Sequence, residues 1–413
     1  MNRFLNKCKA KIQLFPVVLA MLLANSCERK DLFLRVDTTN ISIAIYDINL
    51  ELLWGIDWQT EWQYEWDEAL GDYGSLGYTR PDQIRGTIYN VNSVTNKRYS
   101  SFTHFFNANG GRISLNAGSL YDMMFYNAGT EYINFYQDED YEYYNGYTRA
   151  SSNVSWVRTR SEDEFSVMPD TTRTYIDYNQ PDELFGTLVE DLQVSEDPSE
   201  YIQEIDPVTG NIIYVCNIDA TLRPYTFIYL YQFIILHNDD SKGMRIKGAY
   251  GYTVTGLAQG VDLYSRKNFN NTISISSSED ERRTMIKQLQ RHFDVKVPGG
   301  EVADTADIMA ARLLTWGLPG IVPLDYSEGK EAPVYDNNYI GIGFKLRNNQ
   351  TWRMTLDITD QMHKHPTGGV ITIVIDADQV PQSLLEKETT NTGGGFNATV
   401  ENWQNEINAE ITI

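Results

Sequence analysis

The sequence predicts an all-β protein of two β-sandwich domains, with one short helix in the second. Three observations predict it: a two-residue alternation from Ala44 to Trp66, many short apolar runs bounded by turn residues without helices alternating between them, and an aromatic share of 12% that includes 27 Tyr.

The alternation is the sharpest of these. Even positions from Ala44 read Ala44, Tyr46, Ile48, Leu50, Leu52, Trp54, Ile56, Trp58, Thr60, Trp62, Tyr64, Trp66, while the odd positions between them are rich in Asp, Glu, Asn and Gln. Tryptophans spaced by four invite a helical reading. A helix, however, would turn Ile56, Thr60 and Tyr64 roughly 200° away from their neighbours, and only period two puts all of them on one face. The pattern predicts one long strand, or two strands whose connection keeps parity, with the aromatic side in the core. The alternative is that the tryptophan stripe is a sugar-stacking platform.

Further strands are predicted at Arg85–Val91, Arg112–Leu115, Tyr121–Tyr126 and Tyr132–Tyr136, with hairpin turns at Asn109-Gly110-Gly111 and Asn145-Gly146. In the second half, Tyr225–Leu236 is apolar at both parities and reads as a strand buried on both faces. Met244–Val254, Thr272–Ser276, Ile340–Leu346, Trp352–Ile358, Val370–Ile375 and Ala409–Ile413 complete the set. The helix is predicted at Ser278–Phe293, where Ser278 and Glu281 form a capping box and Met285, Ile286, Leu289 and Phe293 share a face. A length of 413 residues suits two domains. Their boundary is placed in the Asp-, Thr-, Asn- and Pro-rich stretch Asp170–Pro181, which gives domains of 27–175 and 176–413 after an N-terminal signal of 1–26.

That signal has its own grammar. Arg3, Lys7, Lys9 and Lys11 precede an apolar run from Ile12 to Leu23, which is far short of the ~20 residues needed to span a bilayer. Ala24-Asn25-Ser26-Cys27 follows and resembles the lipobox of bacterial lipoproteins, with Ala24 where that pattern prefers Leu. The reading is a cleaved lipoprotein signal peptide with Cys27 as the lipid-bearing residue. Only three cysteines are present. With Cys8 in the signal and Cys27 lipidated, Cys216 is left alone in an apolar stretch, where it reads as a buried small hydrophobe.

The net charge of −22 grows more negative once the basic head is removed, and such a surface repels nucleic acid and anionic lipid. No His-Glu-x-x-His, Gly-x-Ser-x-Gly, Walker loop or dinucleotide fingerprint occurs in the sequence, so it offers no catalytic residues and no cofactor or metal site. His363 and His365 flank Lys364 ahead of Pro366, in what reads as a turn. Asp138, Glu139, Asp140 and Glu142 form an acidic loop without the spacing or glycine of a calcium loop. That loop also carries Tyr141, Tyr143, Tyr144 and Tyr147, candidate glycan contacts because a phenol offers an apolar face and a polar tip. The competing reading packs half of them inward as an alternating strand.

Tyr121-Asp122-Met123-Met124-Phe125-Tyr126-Asn127, followed by Gly129-Thr130-Glu131-Tyr132-Ile133, resembles the hallmark of a family of Bacteroidales lipoproteins of unassigned function. That family is related in fold to fimbrillin-like and minor-fimbrium anchor proteins. Trp58–Asp67, Gly77-Tyr78-Thr79, Gly256-Leu257-Ala258, Trp316-Gly317-Leu318-Pro319 and Gly393-Gly394-Gly395-Phe396 extend the resemblance. It implies two tandem transthyretin-like, Greek-key sandwiches on an outer-membrane lipid anchor. The implied role is non-enzymatic: a fimbrial anchor, accessory or adhesive component, meeting other fimbrial subunits by β-strand addition. Of the family's functional residues only the lipid-bearing cysteine maps, onto Cys27. The alternative is a surface glycan-binding lipoprotein that feeds a nutrient uptake system.

Overall fold

The computed structural model describes residues 40–50, 61–66, 75–148, 177–277, 286–326, 330–386 and 410–411. In chain order its strands are β1 (Asn40–Leu50), β2 (Gln83–Asn92), β3 (Lys97–Asn107), β4 (Gly110–Asn116), β5 (Leu120–Asn127), β6 (Ile133–Gln137), β7 (Tyr144–Thr148), β8 (Asp177–Tyr178), β9 (Phe185–Gln193), β10 (Ile202–Ile205), β11 (Ile212–Pro224) and β12 (Phe227–Leu236). They continue with β13 (Asp239–Asp240), β14 (Gly243–Met244), β15 (Ile246–Ala258), β16 (Gly260–Asp262), β17 (Thr272–Ser276), β18 (Gln290–Lys296), β19 (Val302–Thr315), β20 (Tyr339–Leu346), β21 (Thr351–Asp357), β22 (Gly369–Asp376) and β23 (Glu410–Ile411). Two short helices, α1 (Thr359–Lys364) and α2 (Gln382–Glu386), lie in the second half. The chain is all-β, as the sequence predicts.

Two compact units emerge from the packing. One gathers the chain up to Tyr46 with Gly110–Ser119 and Gln193–Ile218; the other holds Asp47–Asn109, Leu120–Leu192 and Asp219–Ile413. In the first, β1 pairs antiparallel with β4, from Asn40 opposite Asn116 to Tyr46 opposite Gly110. There β10 pairs with the start of β11, and Ala44, Ile213 and Val215 form a small core.

The second unit contains two sandwich cores. In one, the sheet β18-β19-β12-β22 packs against the sheet containing β21, β20, β15 and β17. Tyr229, Tyr231, Phe233 and Ile235 of β12 face inward with Met309, Ala311 and Leu313 of β19 and Ile371, Ile373 and Ile375 of β22. The intervening Ile228, Leu230 and Ile234 face the other way with Ala306, Ile308, Ala310 and Leu314. Central β12 is therefore buried on both faces, as a run that is apolar at both parities predicts. In the second core, Tyr89 of β2 and Met124 and Tyr126 of β5 meet Tyr144 of β7, Val261 of β16 and Trp316.

Three expectations need correction. The alternation from Ala44 is strand in β1, but Glu61–Trp66 has irregular backbone. Its polar groups bond to glutamine side chains instead of a neighbouring strand. Gln232 donates from Nε2 to Glu61 O at 2.8 Å and accepts from Gln63 N at 3.0 Å. Gln290 exchanges two bonds with the backbone of Glu65 at 3.0 and 3.1 Å, and Gln63 does the same for Lys296 on the β18 edge at 2.7 and 2.8 Å. The aromatic side is nonetheless core: Tyr64 is buried among Ile234, Val295 and Ile308, with Trp62 and Trp66 half-buried beside it. Trp54 and Trp58 lie outside the described residues.

The helix predicted to end at Phe293 is absent where the chain is described, since Gln290–Lys296 is β18, paired antiparallel with β19. Pairing with a long strand outweighs the local helical spacing. The helices stand instead at α1 and α2. Asn145-Gly146 is also no turn; both residues lie within β7. The glycine serves close packing, because a Cβ on Gly146 would meet Leu263 at 3.2 Å and Trp316 at 3.3 Å.

Candidate functional site

The hairpin β6–β7 carries the tyrosines singled out in the sequence. Gln137 pairs with Tyr144, and the loop between them is fixed by Asp138, whose Oδ1 accepts from Tyr143 N at 2.8 Å. Tyr141 N donates to Asp138 O at 3.3 Å, and Tyr141 takes a left-handed backbone conformation with φ of 57°. That turn aims its ring at Tyr89, with centroids 5.9 Å apart.

The four tyrosines therefore divide. Tyr144 is buried, its hydroxyl 2.6 Å from that of Tyr126, and burial pushes both phenols above the usual range. Tyr147 and Tyr141 are half-buried. Tyr143 alone is exposed, at 40%, and its ring lies 6.1 Å from that of Tyr136, which is 52% exposed. Parity in β7 explains the inward turn of Tyr144, and the left-handed residue explains why Tyr141 does not follow Tyr143 outward. The sequence reading missed Tyr136. Its register opposite Asn145, on the strand across from the loop, is the signal that would have found it.

Behind this pair the hairpin is held by a polar network. Arg98 Nε donates to Asp122 at 2.7 Å, and the guanidinium carbon sits 4.1 Å from the Tyr264 ring centroid. Tyr264 accepts from Gln137 Nε2 at 2.8 Å, and burial pushes its phenol up to about 12. The exposed pair is thus a rigid feature, not a fraying tip.

The other sequence candidates lie elsewhere. Cys27 and the signal segment fall outside the described residues. Cys216 is a free, half-buried thiol, pushed up by burial and so unsuited to nucleophilic work. His363 lies in α1 and His365 directly after it, where the sequence suggests a simple turn. Both rings are buried; burial and neighbouring Lys364 hold His365 below its ordinary range. His237, Asp376 and Asp378 place one ligand atom each within 4.8 Å of one another. Arg245 pairs with Asp378, and His237 Nδ1 meets Asp376 at 3.0 Å, so ion pairing already accounts for that cluster. Among the described residues, no helix is long and apolar enough to cross a membrane.

Residues 70–224 match a family model described as a domain of unknown function, DUF5119. No curated protein matches the chain. Among solved structures, a candidate adhesin from Bacteroides ovatus is similar at 13% identity and a TM-score of 0.43, covering 86% of this chain and 99% of its own. A candidate adhesin from Bacteroides thetaiotaomicron shares 6% identity at a TM-score of 0.38, over 83% and 94% of the two chains. The fimbrial anchor protein Mfa2 from Porphyromonas gingivalis shares 10% at 0.32, over 81% and 90%.

Proposed function

We propose that the protein is a lipid-anchored surface protein of the outer membrane that works by contact, as an anchor, accessory or adhesive component of a fimbria, and turns over no substrate. One observation carries the reading: an export signal ending in Ser26-Cys27 is joined to an all-β body whose sequence resembles the fimbrial lipoprotein group. The domains are taken as 27–175 and 176–413, and the partners as the membrane, through the lipid on Cys27, and other fimbrial subunits by β-strand addition. Only Glu28 to Thr39 separates the lipid site from β1, a tether that suits an anchor near the membrane better than a tip.

Two experiments test this. Cys27→Ala should release the protein from the membrane fraction; a variant that stays with membranes and still takes up labelled fatty acid sinks the anchor. The resemblance implies that shaft subunits of such a group are freed by cleavage after an arginine, and Arg29 and Arg35 lie where such a cut would fall. Recovery from sheared filaments of a form beginning just after either residue would make this a shaft subunit.

A second reading is favoured by the exposed Tyr136–Tyr143 pair beside Asp138: a surface glycan-binding lipoprotein of a nutrient uptake system. Two aromatic faces with a carboxylate at hand suit a neutral sugar ring. A paired transporter gene next to this one would favour it, and a pilin-like neighbour the fimbrial role.

A further inference from the structure

The hairpin formed by β10 and the start of β11, in the first unit, presents an apolar tip that its own core does not cover. Ile205 lies opposite Ile212 in the register, so both side chains share one face. They are 72% and 62% exposed, and Val208 in the connecting turn is 61% exposed. The neighbouring Ile213 and Val215 point the other way, into the small core with Ala44. Single exposed isoleucines are ordinary, but three branched aliphatic side chains gathered on one tip mark a contact surface.

That tip is held in shape by its own turn. Asp206 N donates to Asn211 O and Gly210 N donates to Asp206 O, both at 2.8 Å. Asp206 Oδ1 accepts from Val208 N at 2.9 Å and Oδ2 from Thr209 Oγ1 at 2.5 Å, while Gly210 takes the left-handed conformation that closes the turn, with φ of 72°. Apolar groups fixed in this way lose little conformational freedom when they dock. The charge around them has one sign. From Ser195 to Ile218 the chain carries Glu196, Asp197, Glu200, Glu204 and Asp206 and no Lys, Arg or His. Glu204 pairs with Arg112 at 2.6 Å, and that single guanidinium leaves the flank strongly negative.

We propose that this tip is a docking knob for a protein partner whose surface offers an apolar cleft rimmed by Lys and Arg. Charge decides among the occupants. A second copy would bring the same acidic flank against itself, and an anionic bilayer would repel it, whereas a basic rim is drawn to it. Ile205, Val208 and Ile212 fill the cleft and hold the complex together, while the carboxylates beside them speed the approach and fix the register. The inference rests on the fimbrial reading for its partner, another subunit of the fimbria, and adds to that reading the surface that makes the contact.

The probe is fimbriae sheared from cells that lack this chain, onto which the full mature chain is titrated, carrying Cys27→Ala so that no lipid contributes. In that background Ile205→Thr with Ile212→Thr keeps β-branched side chains at exposed strand positions, so the variant should melt like its parent yet bind at least about tenfold more weakly. Glu200→Lys should weaken binding about threefold in dilute buffer and far less in about 0.5 M salt, because the flank acts through charge. A parent that binds, with the isoleucine variant matching it, would overturn the knob and leave the fimbrial reading standing. A parent that does not bind fimbriae at all would overturn the fimbrial reading and the knob with it. If the isoleucine variant instead loses binding to phosphatidylglycerol vesicles, or loses a dimer that its parent forms, the tip belongs to a membrane or to a second copy, and the proposal is overturned as well.

Discussion

Two tyrosine- and tryptophan-rich segments of the second unit, Trp62–Trp66 and Tyr141–Tyr147, look alike in sequence and behave differently. Both interleave aromatic residues with acids or amides. In the first, Trp62, Tyr64 and Trp66 all turn toward the outer face of the β18-β19-β12-β22 sheet, and three glutamine side chains fasten the backbone. In the second, a strand register and a left-handed residue send Tyr144 inward, Tyr141 sideways onto Tyr89, and Tyr143 out to Tyr136. Aromatic periodicity therefore marks a core only where the backbone is tied along the surface it covers. Where the chain turns, the same composition splits between core and surface.

The largest expected effect tests the first half of that contrast. Tyr64→Ala empties a buried site among Ile234, Val295 and Ile308 and removes the hydroxyl bond to Gln288 O. It should cost about 3–5 kcal/mol, read as a lower midpoint in chemical denaturation. A variant that unfolds like the parent would show the segment to be a surface strap with no share in the core. Next comes Gln232→Leu, which keeps the volume but strands Glu61 O, Gln63 N and Thr372 Oγ1 without their carboxamide partner. Losing three partly buried bonds puts its cost at about 1–2 kcal/mol. A neutral outcome would mean that packing alone holds the segment.

Gln232 also shows how far the sequence could be read. Strands announced by largely apolar runs, such as β12, β5 and β20, were legible because burial on one or both faces writes itself into composition. β19 was not, since Ala306, Ala310 and Ala311 have helical propensity and only its place between β18 and β12 makes it a strand. The helix expected at Ser278–Phe293 failed at its C-terminal part for the same reason, pairing with β19 overriding local spacing. The glutamine clamps are long-range, linking residues 169 to 233 positions apart, and no local pattern reveals them. The Tyr136–Tyr143 pair was half legible: the loop tyrosines stood out, but which of them faces solvent depends on a backbone angle at Tyr141 that composition does not encode.

Within the second segment the expected effects shrink. Tyr144→Phe removes the hydroxyl pair with Tyr126 and should cost about 1 kcal/mol, since one buried hydroxyl is left without its partner. It should also change the alkaline limb of the stability profile. Burial raises the Tyr144 and Tyr126 phenols above the ordinary value of 10.0, so the unfolded chain loses those protons first. Stability is then intact below pH 10 and falls as pH rises past it, and the variant, with one such phenol fewer, should fall less steeply. An unchanged alkaline limb would place Tyr144 in contact with solvent.

Tyr143→Ala should have the smallest effect on folding and the most informative one on function. The ring is exposed, and the bonds that shape its loop run through the backbone of Tyr143 to Asp138, so the side chain can leave without disturbing them. Stability should change by less than about 0.5 kcal/mol, as for surface substitutions generally. Its partner Tyr136, on the facing strand, would then stand alone, and a ligand held between two aromatic faces would lose one of them, a loss of several-fold to tenfold in affinity for a neutral oligosaccharide or a partner surface. Tyr136→Ala should reproduce the loss, and the double variant should add little to it, because each ring works through the other. If neither single variant alters adhesion or glycan retention while both fold normally, the exposed pair is an ordinary surface contact. The segment would then differ from Trp62–Trp66 only in where its chain turns.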